Sequence, residues 1–358
     1  MSIKSDLKRE GIEVIYELDN NIVKSIVTNI AHKLVATFPD FYLDEDVIIN
    51  KLSKLKMYKA KMREGMAEAN YFYKNTSIYF NEHILDEDLE EFAIHECLHY
   101  FQEVKDGNKL LRMGLHGEGL NEAAVQYISS KIIGVKPDFE TYYGITFYTP
   151  SPSYYPLECA LLNQIIYFTG EEVLFKSTLF SNNDFENCII KQTSKNIYSQ
   201  IQSAFDNILK LEEKIVKINN KIDLLEDGDP KFTDLIEKSD NCKEKISSTF
   251  IKTQNLITKK LFDYRFNQIT DLEQLDVFRR KLDRFKNIIG TVPNYDFFDN
   301  YYLETMNKLE HKCSVLENNG TETAIEIKSD NLFINIFIKI KKLFIKKNVN
   351  ENINSKET

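Results

Sequence analysis

His95 and His99, in the stretch Ala93-Ile94-His95-Glu96-Cys97-Leu98-His99-Tyr100-Phe101, stand four residues apart with a glutamate directly after the first. On a helix that spacing stacks both imidazoles on one face, one turn apart, and sets Glu96 on the shoulder of that face. Two neutral imidazoles can hold one Zn²⁺. A third protein ligand would leave a fourth coordination position open for water, and a carboxylate at the place of Glu96 can take that water's proton. The chemistry implied is hydrolysis by metal-activated water, with Glu96 as general base. Cys97 lies inside the motif but turns away from the metal face, and reads as a small hydrophobic core residue.

The third ligand must come from elsewhere. Metzincin spacing would require a glycine at 102 and a histidine at 105; Gln102 and Lys105 stand there, which excludes that class. After 22 intervening residues comes Glu122, within Gly119-Leu120-Asn121-Glu122-Ala123-Ala124, and a glutamate is the best remaining choice, with His116 and Glu118 as competitors. Oxyanion stabilisation also calls for a positioned donor. Tyr154 and Tyr155 are the first candidates, with His116, Tyr143 and Tyr148 behind them.

The arrangement His95-Glu96-x-x-His99 followed by Asn121-Glu122-Ala123-Ala124 resembles the gluzincin clan of zinc peptidases, over roughly Ala69 to Ile133. It is similar in particular to small, single-domain members with a short N-terminal sheet. The resemblance implies a peptidase in which His95, His99 and Glu122 bind zinc and Glu96 is the base. It also implies a peptide or protein substrate that pairs with the edge of the strand ahead of the motif, and Tyr71 to Phe80 has the composition for that. Thermolysin-like members carry an aspartate four residues after the glutamate ligand, orienting a ligand histidine. Gln126 stands there in this chain, and its side chain could accept a hydrogen bond from an imidazole N–H.

The elements that must position these residues follow from periodicity. Ile12, Val14, Tyr16 and Leu18 alternate with polar neighbours and predict a half-buried strand; Val23, Ile26, Val27, Ile30 and Leu34 predict a helix that Pro39 stops. Another short helix is expected over Asp44 to Lys56. Ala69 to Phe80 reads as a strand or a hairpin bending near Lys74-Asn75. Acids at 86–91 open the motif helix, which Asp106-Gly107 should end, and a glycine-punctuated loop leads into the glutamate helix, ending at Gly134. Val135 to Pro156 has few periodic positions and reads as a loop. Helices follow over Leu157 to Phe168 and Glu171 to Phe180. From Ser194 charged residues interleave with Ile and Leu through long helices, arranged most simply as antiparallel, coiled-coil-like hairpins.

The expected fold is therefore α+β. A small N-terminal antiparallel sheet with the motif and glutamate helices occupies 1–193, a helical-hairpin domain 194–317, and a linker with a basic apolar segment and polar tail 318–358. A hydrophobic content of 42% supports at least one sizeable core, and a net charge of −9 argues against nucleic-acid binding. Five scattered cysteines with no Cys-x-x-Cys pair, and no secretory signal, predict reduced thiols in a cytoplasmic protein. The helical region is available for a protein partner, and residues 332–347, apolar with five lysines, for peripheral membrane contact. A rival reading makes the chain a catalytically silent scaffold acting through protein–protein contact. Glu96 speaks against it, since a structural zinc site has four protein ligands and no need of a base.

Overall fold

A computed structural model describes residues 3–63, 67–106, 109–112, 117–226, 229–289 and 296–321. The chain opens with helix α1 (Ile3–Glu10), strand β1 (Ile12–Glu17), helices α2 (Asn20–Thr37) and α3 (Glu45–Leu52), and strands β2 (Lys56–Met62), β3 (Ala69–Phe72) and β4 (Ser77–Asn81). The motif helix α4 (Leu89–Phe101) follows, then a short ribbon of β5 (Val104–Asp106) and β6 (Lys109–Arg112), and the glutamate helix α5 (Glu118–Ile133). A hairpin of β7 (Asp138–Tyr142) and β8 (Ile145–Thr149) leads into α6 (Pro156–Thr169), α7 (Glu171–Leu179) and α8 (Asp184–Gln192). The long helices are α9 (Lys195–Asp223), α10 (Lys231–Asn267), α11 (Leu272–Ile289) and α12 (Asp296–Thr321). His116 and residues 332–347 lie outside the described residues.

The protein is α+β, with a small sheet and a mostly helical C-terminal region. The sheet is mixed, which corrects the expectation of an antiparallel one. Its order is β1-β2-β4-β3, and β2 and β4 run parallel. After β2 the chain skips one strand position, lays β3 at the far edge and folds back as β4 into the gap, so the returning strand runs in the same direction as β2. Period-two alternation sends Met57, Ile78 and Phe80 to the main core and Ala60, Met62 and Tyr79 to a smaller cluster that Leu7 of α1 covers.

Strand β1 forms where alternation places it, but Val14 and Tyr16 are 42% and 51% exposed. β1 is an edge strand with an irregular register against β2 between those two residues, so only Ile12 and the following Leu18 reach a core. The caps behave as their sequences demand. Asp19 and Asp44 accept from the first-turn amides of α2 and α3, at 2.7 and 3.1 Å, and Gly134 closes α5 in the left-handed region.

Two expectations are overturned near the site. The motif helix ends at Phe101 rather than Asp106, because the chain turns at Gln102 into β5. Residues 138–149 form a hairpin rather than a loop. Tyr143 and Gly144 at its tip have φ of 52° and 77°, the two positive values of a type I′ turn. No helix among the described residues is long and apolar enough to cross a membrane.

Candidate metal centre

Helix α4 buries Ala93, Ile94, Cys97 and Leu98 in the main core, and this packing turns the opposite face, with His95 and His99, toward α5. Helix α5 is held by Leu120, Ala124, Val125 and Ile128, all fully buried, which presents Glu122 from its second turn to the two imidazoles. His95 Nε2 and His99 Nε2 are 3.1 Å apart, and the Glu122 oxygens lie 3.2 and 3.4 Å from them. The three side chains keep 13–22% exposure, so they line a recess open to solvent. This group can bind a metal ion. Both Nε2 atoms and the Glu122 carboxylate converge, so a cation placed between them would meet all three side chains.

The tautomer of His95 is fixed by Gln126, one turn beyond Glu122. Gln126 Oε1 sits 2.9 Å from His95 Nδ1, while its amide nitrogen donates to the hydroxyls of Ser130 and Ser151 at 3.0 and 3.1 Å. With the NH₂ group committed to two hydroxyls, the amide oxygen must face His95, whose Nδ1 donates and whose Nε2 keeps its lone pair for a metal. A glutamine thus orients the ligand without a charge.

Glu96 is 7% exposed and receives the Tyr71 backbone N–H at 2.6 Å from β3. Burial raises its pKa above the ordinary carboxylate value, against the pull of His95 and His99. For Glu122 burial pushes the same way, but the two imidazoles outweigh it and hold the carboxyl well below the usual range, ionised as a metal ligand must be. Burial opposes charge on His99, yet the Glu122 carboxylate and its hydrogen bond carry the imidazole up to about 9.

Tyr155 precedes α6 in the left-handed region, φ 48°, and its ring stacks on His95 with centroids 6.1 Å apart. Its phenol bonds to Glu122, and burial, then Glu122 and Glu96, raise its pKa well above that of a free tyrosine. Tyr154 is 40% exposed, with its ring edge-on to Phe92, so the structure brings Tyr155 to the centre and leaves Tyr154 at the rim. Of the other donors considered, Tyr148 packs on Phe139 and Tyr143 bonds to Glu212. Glu118, an exposed residue, opens the first turn of α5.

Four participants have no signal in one dimension: the Tyr71 amide, Ser151, and the carboxyls of Glu158 and Glu212. Ser130 alone was findable, four residues after Gln126 on the same helix. Glu158, fully buried one turn along α6 from Tyr155, feels the charge of Glu212 on α9. Burial and then Glu212 push Glu158 well above its ordinary value. Burial raises Glu212 to about 7, against the lowering by hydrogen bonds with Glu158 and Tyr143.

No family model matches the chain, and no curated protein or solved structure matches it either.

Proposed function

We propose that the chain is a zinc-dependent peptidase of the gluzincin kind, in which water activated between His95, His99 and Glu122 hydrolyses a peptide bond. One observation carries the reading: two imidazole Nε2 atoms stand 3.1 Å apart, each within 3.4 Å of an oxygen of the Glu122 carboxylate, beside a buried glutamate. A tetrahedral ion with bonds of about 2.0–2.1 Å separates its ligand atoms by about 3.3 Å, and those are zinc's bond lengths to imidazole nitrogen and carboxylate oxygen. Zinc held by three protein ligands keeps a fourth position for water and lowers that water's pKa toward neutrality.

The chain's own groups supply the rest. Glu96 accepts the proton of the attacking water and passes it to the leaving nitrogen. The Tyr71 amide holds one of its oxygens at 2.6 Å, so the proton transfer falls to the other. The Tyr155 phenol, kept neutral by burial and by the carboxylates around it, donates to the oxygen on which charge develops. Strand β3 lies at the sheet edge, and its Ala69 and Tyr71 alternate with the residues bonded to β4. A substrate strand would engage Ala69 and the Tyr71 carbonyl, the Tyr71 N–H being committed to Glu96.

Element analysis of the purified full chain tests the metal. One zinc per chain is expected, lost in His99→Ala and in Glu122→Ala; iron in its place, or no metal, returns the chain to the scaffold reading. Glu96→Gln should keep the zinc while hydrolysis of a mixed peptide pool falls by ~10²–10⁴-fold. Cleavage by this variant at the wild-type rate sinks the mechanism.

A further inference from the structure

The ligand helix α5 lacks a side-chain cap of its own. Its N-cap residue is Gly117, with φ of 80° and no side chain to accept from the first-turn amides. The acceptor comes from 87 residues away, where Asp206 of α9 takes the Gly119 N–H at 2.8 Å. The approach is close. A Cβ on Gly119 would lie 2.5 Å from the carbonyl carbon and oxygen of Phe205, a residue with no exposed surface, so only glycine lets α9 come this near. A Cβ on Gly117 would stand 3.3 Å from both Asp206 oxygens. The carboxylate therefore covers the start of α5, where a negative charge also meets the positive end of the helix dipole.

Glu122 is three residues beyond Gly119. The first turn of a helix is the part that frays when its donors are unmet, and fraying there would carry the Glu122 oxygens away from the two imidazoles. Core residues, Leu120 among them, and Gln126 tie α5 along its length, and the Gly119 amide is the point where α9 adds to that hold ahead of Glu122. Two turns further along α9, Glu212 meets Glu158, so the same helix contacts the surroundings of the centre twice.

We infer that Asp206 is a positioning residue for the metal centre, through which the first long helix fixes where the glutamate ligand stands. The inference rests on the metal-centre reading of His95, His99 and Glu122, and not on peptidase activity. Two measurements on the full chain test it: hydrogen exchange of the peptide spanning 117–124, and zinc affinity by competition with a chromophoric chelator. Asp206→Ala should speed exchange at Gly119 to Glu122 by tenfold or more while residues 89–101 stay protected, and should weaken zinc binding about tenfold. Asp206→Asn, whose amide oxygen can accept the same bond, should remain within about threefold of wild type in both. If Asp206→Ala does not fold, Asp206→Asn decides, and a tenfold loss of zinc affinity in that variant overturns the inference. Wild-type exchange in Asp206→Ala overturns it too, as does unchanged zinc affinity. A wild-type chain that takes up no zinc refutes the metal-centre reading instead, and the exchange measurement still decides for or against Asp206.

Discussion

At the scale of single residues, the candidate centre holds the His95 ring in one orientation. Gln126 illustrates how. Both of its N–H groups are spent on Ser130 and Ser151, which leaves the carbonyl to hold His95 Nδ1 at 2.9 Å. Partners of this kind, one shell out from a metal, are worth 10–100-fold in affinity. Gln126→Ala should therefore weaken zinc binding by ~10–100-fold without changing the stoichiometry at saturation. A chelator competition read on the folded protein checks this, and unchanged affinity would mean that helix packing alone orients the ring. The grouping of His95 with His99 was legible in sequence because a turn of helix is a local device, and four residues always put two side chains on one face. Tyr155 was legible only as one of a pair. Nothing in two adjacent tyrosines says that the second takes a left-handed φ and stacks on His95 while the first stays at the rim.

At the scale of elements, what was legible is what carries a helical period, and what was not is paired across distance. α2, α4, α5 and α9 follow their apolar stripes. β2 was hidden because the lysines of Lys56 to Met62, at 56, 59 and 61, break any clean period of two, and its strand identity comes from pairing on both sides with β1 and β4. The β7–β8 turn was hidden because Tyr143 fills the first left-handed position where asparagine or aspartate is the usual sign. The contact between α6 and α9 was hidden for the same reason, and it makes a measurable prediction. Folding raises the Glu212 pKa from 4.5 to about 7, so the folded chain binds proton more tightly there than the unfolded one does. The stabilisation this represents is complete below about 4.5 and is lost as pH rises through about 7, when a buried carboxylate charge must be tolerated at Glu212. Its size is on the order of 3 kcal/mol. Melting temperatures between pH 5 and pH 8 should fall in the wild type and change less in Glu212→Gln, where a neutral amide stands in for the protonated acid; parallel curves would remove the raised Glu212 carboxyl from the account.

At the scale of the whole molecule, the composition shift near Ser194 marks a change in sequence character, and the packing decides whether it also marks a boundary in stability. Phe147 of β8 lies 5.4 Å from Phe250, and Phe168 of α6 lies 4.7 Å from Phe262 and 5.5 Å from Phe285. The polar contacts cross as well: Gln164 donates to Gln254 at 2.6 Å, Arg265 to the Phe168 carbonyl at 2.7 Å, and Ser247 to the Tyr143 carbonyl at 3.0 Å. One hydrophobic cluster accordingly runs from Leu18 to Leu309, with Phe205, Phe250, Phe262 and Phe285 fully buried in it. Each such phenylalanine is worth ~1.5–3 kcal/mol of burial, and a domain has only ~5–15 kcal/mol of net stability to lose. A chain ending at residue 193 would expose Phe147, Phe168 and Leu161 and lose the Asp206 cap on α5. It should show no cooperative melt and should bind a hydrophobic dye, where the full protein melts cooperatively and does not. If the shorter chain instead melts cooperatively with its helix and sheet content intact, the motif half holds a sufficient core of its own. The long helices would then be an appended unit, and their purpose would have to be sought in a partner rather than in bracing the metal centre.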